Sequence, residues 1–164
     1  MAPHSNIRRL VTHGHYFFIT CVTYNRLPIL LDHFDAFRHA VSVTMSKADS
    51  AELVWVILPD HYHAIIHSEV TPLPDVVHGF KISFTKLVKR HTGATALSCW
   101  QRGYWDHVIR DEEDFRRHTD YIHYNPVRHG LAECPWEWEK SSFREFVARG
   151  QYAPDWNVDV GRRR

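Results

Sequence analysis

The 164-residue chain has no long apolar run, no paired-cysteine motif and no excess of either charge. Its longest unbroken apolar stretch is the six residues 53–58. A membrane-spanning helix needs about 20, so an integral membrane protein of that kind is excluded. The N-terminal segment MAPHSNIRRL lacks the apolar centre of a secretory signal, so the expected compartment is the cytoplasm. Cys21, Cys99 and Cys134 are odd in number, far apart and form no CxxC. That excludes a disulfide framework or a zinc ribbon and suits a reducing environment. No repeat, low-complexity tract or Gly/Ser linker divides the sequence. It therefore reads as a single domain over 1–150 with a tail at 151–164. Apolar residues make up 44%, an ordinary globular value, so a core can form without staples. Lys plus Arg number 20 against 19 Asp plus Glu, so overall charge does not advertise a nucleic-acid partner.

What is present is more telling. There are 14 histidines, and between 76 and 110 six basic residues (Lys81, Lys86, Lys89, Arg90, Arg102 and Arg110) stand against one acid, Asp106. Histidine supplies metal ligands and proton carriers, so placement decides what they mean. Aromatic and β-branched residues predict a strand over 15–24, and helical spacing predicts a helix over 32–47. The apolar run 52–58 predicts a covered strand. Pro59-Asp60 breaks it, and the alternation over 61–68 predicts an antiparallel return strand. A second helix is expected over 76–91, with Val76, Val77, Phe80, Phe84, Leu87 and Val88 on one arc. Lys81, Lys86, Lys89 and Arg90 fall opposite, either as a solvated face or facing phosphates. A fourth strand follows over 104–109. Asp111 caps a helix that is expected to stop at Asn125, before Pro126. Ser142 and Glu145 form a capping box for a last helix that ends at Gly150. The class is α+β. The first six elements match a ferredoxin-like βαββαβ antiparallel sheet, followed by an additional helix and a short C-terminal helical extension.

Two positions on this framework suggest chemistry. Residues two apart on a strand share a face, so His61 and His63 present two imidazoles side by side. His67 shares that face. Asp114, His118, Tyr121 and Asn125 are spaced 4, 3 and 4 apart and form one helix stripe. Each feature alone has a plain structural reading: surface polarity for the histidines, packing for the tyrosine, a helix stop for the asparagine. Together they allow a specific mechanism. Two neutral imidazoles and an amide oxygen leave a divalent cation at full charge with open positions, able to polarise a phosphoryl oxygen. A phenol beside it can attack phosphorus, although free tyrosine, with a pKa of about 10, needs the ion or a base to do so. The phosphotyrosine so formed conserves the bond energy and permits rejoining. A set without thiolate favours Mg²⁺ or Mn²⁺ over structural zinc.

The segments LPDHYH (58–63), WQRGYWDHVIR (100–110), DYIHYNPVRHGL (120–131) and WEKSSF (138–143) resemble those of the REP-associated tyrosine transposases. These are single-tyrosine HUH endonucleases related to small insertion-sequence transposases. The resemblance runs from about Arg8 to Trp156. It implies that His61 and His63 are metal ligands, Tyr121 the nucleophile and Asn125 the third ligand. Tyr62 fills the middle of the HUH motif, where an aliphatic residue is more usual, and points to the other face. Tyr124 competes with Tyr121 as nucleophile but lies about 100° from the stripe. Lys81, Lys86, Lys89, Arg90 and Arg110 would contact phosphate. Trp100 is a candidate for stacking on unpaired bases, whereas Trp105 is expected in the core. The implied substrate is single-stranded DNA beside a REP-type hairpin, cut by a monomer, with a dimer as the alternative, to leave a 5′-phosphotyrosine. The implied setting is nucleoid-associated, in a bacterial cytoplasm. The alternatives are a non-catalytic hairpin-binding regulator and a metal hydrolase of small phosphoesters.

Overall fold

Side-chain alternation is the organising feature of the sheet. The computed structural model describes residues 15–157. Four strands, β1 (Tyr16–Val22), β2 (Ser50–Ile57), β3 (His61–Ser68) and β4 (Trp105–Val108), form one sheet in the order β2-β3-β1-β4. Every neighbouring pair is antiparallel. The helices are α1 (Ile29–Asp32), α2 (Phe34–Lys47), α3 (Leu73–Thr92), α4 (Glu112–Arg128) and α5 (Phe143–Ala148), with 3₁₀ turns at Tyr24–Arg26 and Pro135–Glu137. This is the expected α+β, ferredoxin-like arrangement. No helix among the described residues is long and apolar enough to cross a membrane.

Each sheet face has its own apolar layer. Ile19 and Cys21 of β1 and Tyr62, Ala64 and Ile66 of β3 pack against Phe37 and Val41 of α2 and Val76, Phe80 and Phe84 of α3. Residues of the opposite parity, Tyr16, Phe18, Val54, Val56 and Ile65, pack against Phe115 and Ile122 of α4 and Phe146 of α5. A one-residue slip in register would exchange these two sets, so the two covering layers lock the pairing. Tyr62 is wholly buried in the first layer, where its hydroxyl donates to Glu52, itself ion-paired with Arg38 at 2.8 Å.

Three local expectations are corrected. The helix α3 starts at Leu73, three residues before its apolar stripe, because Pro74 fits the first turn, where a missing N–H costs nothing. Pro126 does not stop α4, which continues to Arg128. The loss of one donor is tolerated within a turn of the end, where the His129 N–H still reaches the Asn125 carbonyl at 3.0 Å. Ser142 makes no side-chain cap. Its hydroxyl instead accepts from the Trp55 N–H at 3.0 Å and pairs with His123 at 2.9 Å. Beyond Gly150, Tyr152 packs on Phe143 and Trp156, and its hydroxyl donates to Asp120 at 2.5 Å. The rest of the expected tail, 158–164, lies outside the described residues.

Candidate active site

The second sheet face carries polar side chains at one end. Cross-strand register sets His61 opposite Val22, His63 opposite Thr20, and Thr20 opposite Trp105. Against them stands the C-terminal half of α4. A cleft of about 580 Å³ opens between, lined on the sheet side by Thr20, His61, His63 and Trp105 and on the helix side by Arg117, His118 and Tyr121.

His61 and His63 are 5% and 4% exposed, so these are not surface histidines. Their ring centroids lie 5.0 Å apart. The His61 Nδ1 meets the Asp60 carboxylate at 2.7 Å. Burial raises the Asp60 carboxyl, but the His61 bond and the Arg26 charge outweigh it and hold the group below its usual value. Asp60 is therefore the acceptor and Nδ1 the donor. In the neutral ring that tautomer carries its lone pair on Nε2, which faces the Asn125 Oδ1 at 3.3 Å. Two acceptors converge there, while the buried Asn125 Nδ2 finds no partner among the described residues. A cation between them is what this donor set fits, and a carboxylate behind a ligating histidine is the usual support for one. The His63 Nδ1 lies 2.8 Å from the Thr20 hydroxyl. Burial, with His61 and His129 nearby, pushes its imidazole down to about 3, so it remains a neutral potential ligand across the physiological range.

Tyr121 is 37% exposed at the cleft. Its ring lies 5.4 Å from His63 and 5.8 Å from Phe18, and the Arg128 guanidinium sits 5.6 Å from its centroid. Tyr124 points elsewhere, edge-on to Trp156. Asp114 and His118 complete the expected stripe and join His107 of β4. The Asp114 Oδ2 accepts from the His107 Nε2 at 2.8 Å and from the Arg110 backbone N–H at 3.1 Å and Nε at 3.2 Å. Burial would raise the Asp114 carboxyl, but these bonds hold it far below the usual carboxylate range. By distance alone, His107, Asp114 and His118 could also hold a cation, since one ligand atom from each lies within 4.8 Å of the others.

The residues expected to hold DNA are dispersed. Lys81, Lys86, Lys89 and Arg90 belong to α3, which covers the sheet face opposite the cleft. The Lys81 Nζ is engaged with the Gly103 and Gln101 carbonyls at 2.6 and 3.3 Å. Arg110 is 70% exposed while anchored to Asp114. Trp105, expected in the core, is open, while Trp100 is partly buried. Trp100 packs between Phe37 and Phe84, and its Nε1 donates to the Lys81 carbonyl. Trp105 is 60% exposed beside the cleft. Three cleft residues escaped the sequence reading: Arg26, Arg117 and His129. Asn25 and Arg26 are two consecutive left-handed residues in the turn that the sequence predicts at 25–28, but nothing in the sequence says that this turn carries Arg26 to the cleft. His129 lies 4.9 Å from His61 and four residues after Asn125. It continues the helix stripe, and only the assumed stop at Pro126 concealed it.

Fold and site together define a class, an α+β domain that presents paired strand histidines to one helix-borne tyrosine and asparagine. No family model matches the chain. Individual relatives do. The chain is 34% identical over 154 residues to the REP-associated tyrosine transposase of Escherichia coli strain K12, covering 93% of this chain and 90% of that protein. It is 33% identical over 168 residues to a Haemophilus influenzae protein given to the same family, covering 93% of each. A solved structure of a REP-associated tyrosine transposase bound to a REP hairpin superimposes with a TM-score of 0.79 at 31% identity, covering 90% of this chain and 87% of that one. The chain belongs to the REP-associated tyrosine transposase family.

Proposed function

We propose that this chain is a metal-dependent enzyme that cuts and rejoins single-stranded DNA beside REP-type hairpins through a phosphotyrosine link to Tyr121. The observation that carries this reading is convergence: His61, His63 and Tyr121 line one cleft, and buried Asn125, 64 positions from His61 in sequence, meets His61 behind it. The hairpin-bound relative supports the choice of substrate. His61, His63 and Asn125 would hold Mg²⁺ or Mn²⁺, which would polarise a phosphoryl oxygen when bound. Asp60 and Thr20 orient the two imidazoles. The Tyr121 oxygen attacks phosphorus in line, forming the P–O(Tyr) bond as the P–O3′ bond breaks. The products are a free 3′-hydroxyl and a 5′-phosphotyrosine. Attack by a 3′-hydroxyl reverses the step without an external energy source.

Arg26 and Arg117 are assigned to the phosphates flanking the scissile bond, and Trp105 to stacking on an unpaired base. Arg110 holds phosphate at the edge of β4. Lys86, Lys89 and Arg90 face away from the cleft and would meet DNA only beyond it. The chain acts as a monomer, its own α4 supplying the tyrosine.

The test is covalent trapping of labelled single-stranded DNA that carries REP-type palindromes, with Mg²⁺ or Mn²⁺, on a denaturing gel. The expected result is a shifted adduct that disappears with chelator and in Tyr121→Phe, while Tyr121→Phe still binds the hairpin. Binding without adduct, in every metal and with every palindrome, would overturn the enzyme reading in favour of a hairpin-binding regulator.

A further inference from the structure

His118 is not needed for the proposed cation site, yet it lines the same cleft as Tyr121, one helical turn before it. Its Nδ1 lies 2.8 Å from the Asp114 backbone carbonyl, which can only accept. The proton therefore sits on Nδ1, and neutral His118 carries its lone pair on Nε2, the opposite edge of the ring. The same Nδ1 lies 3.2 Å from the Asp114 Oδ1, so any positive charge gained by the ring is met by a carboxylate. Two flat neighbours hold the ring: His107 stacks on it at 4.7 Å and 18°, and Phe18 lies 4.8 Å away. Phe18 also touches Tyr121, at 5.8 Å.

His118 and Tyr121 open into one cleft from positions three apart on α4, and the His118 Nδ1 is held by the Asp114 carbonyl and carboxylate; a base so oriented next to a weak hydroxyl is what activates it. We infer that His118 is the base that takes the Tyr121 proton, with Asp114 and His107 as its positioning residues. This rests on the strand-cleavage reading above. In cleavage the phenolic proton passes to the His118 Nε2 as the P–O(Tyr) bond forms, and the departing 3′-oxygen takes its proton from water. In rejoining, the His118 imidazolium returns a proton to the leaving Tyr121 oxygen while the attacking 3′-hydroxyl gives its own to water. The net proton count is zero in each direction.

The competing use of this cluster is a second cation site. The hydrogen bonds argue against it. The Asp114 Oδ2 already receives three donors, one of them the charged Arg110 guanidinium, and a cation there would have to displace them. The charged and titratable groups around His118 are Asp114 and His107, which touch it, Arg110, which is bonded to Asp114, and Arg26, His61, His63, Arg117, Tyr121 and His129, which share its cleft. The single carboxylate among them is spent on orienting the imidazoles.

The experiment follows the rate of adduct formation against pH, with hairpin DNA and saturating Mn²⁺, for the wild type and for His118→Gln. Glutamine keeps a donor to the helix but cannot accept a proton. The expected result is a rate lower by about 100-fold in the neutral range. The rate should then climb with pH across the range tested, since hydroxide must take the phenolic proton in place of His118. Hairpin affinity should stay within about 2-fold, since no phosphate contact is lost. His118→Ala should regain rate in added imidazole, a recovery that a purely structural role would not give. An unchanged pH profile in His118→Gln overturns the inference and leaves the strand-cleavage reading standing. So does a second bound Mn²⁺ lost in Asp114→Asn with no change in profile. No adduct from the wild type overturns both.

Discussion

Two tryptophans five positions apart have opposite roles, and the difference lies in what each indole touches. Trp100 is wedged between Phe37 and Phe84 and ties its ring nitrogen to α3. Trp105 follows on edge strand β4, leans on Phe18 at 5.8 Å and leaves most of its ring in solvent. Trp105→Ala is expected to weaken binding of unpaired DNA by about 1–3 kcal/mol, the usual value of a base–aromatic stack. It should leave stability within about 0.5 kcal/mol, as surface substitutions do. Trp100→Ala should do the reverse, costing about 2–3 kcal/mol of stability, less than a wholly buried aromatic because Trp100 is only partly buried. Fluorescence anisotropy with a hairpin oligonucleotide, and urea unfolding of both variants, would check the pair. Equal losses of affinity would mean that Trp105 is no platform.

At the scale of elements, one layer backs the sheet and the other carries the proposed site. The helices α2 and α3 back the sheet, and they approach closely at Gly79. A Cβ there would stand 2.9 Å from the Thr44 Cγ2. Relieving the contact requires Thr44 to change χ1 rotamer or the two helices to part. Gly79→Ala gains about 1 kcal/mol of helix propensity, yet overpacking costs about 1–3 kcal/mol. The expected outcome is a net loss of stability, reversed when Thr44→Ala is added. Urea midpoints of the two single variants and the double variant would measure that coupling; a stabilised Gly79→Ala would show that the helices separate freely. On the other face, α4 combines the proposed nucleophile and core support in one element. Phe115 and Ile122 bury themselves against the sheet, whereas His118 and Tyr121 turn toward the cleft.

For the whole molecule, acid is the weak point. His63 and His123 are both pushed down to about 3, chiefly by burial. His123 lies among Phe143, Phe146 and Tyr152, between α4 and the C-terminal segment. Unfolded histidine takes up its proton near 6.5. Between 6.5 and 3 the unfolded chain binds protons that the native one refuses, so stability falls with pH. Each histidine contributes about 1.4 kcal/mol per pH unit to that slope. His123→Gln, which can keep a bond to Ser142, should make the slope shallower by that amount. Unfolding midpoints at several pH values would test it, and an unchanged slope would mean that His123 is protonated in the native state.

The local periodicities were legible from the sequence. Alternation placed His61 and His63 on one strand face with Tyr62 opposite, and helical spacing aligned Asp114, His118, Tyr121 and Asn125. The six core elements and their ferredoxin-like order followed from the same patterns, because backbone geometry repeats every two or 3.6 residues. Periodicity says which residues share a face. It does not say which element covers that face. Tertiary packing alone decided that α4 lies over the histidines and α3 over the other side. It thereby removed the basic stripe from the cleft and brought in Arg26, Arg117 and His129. It also decided that Trp105 is open and Trp100 closed, and that His107 meets Asp114 and His118. These contacts depend on how two apolar layers and one edge strand share a limited surface, which short-range sequence patterns do not encode.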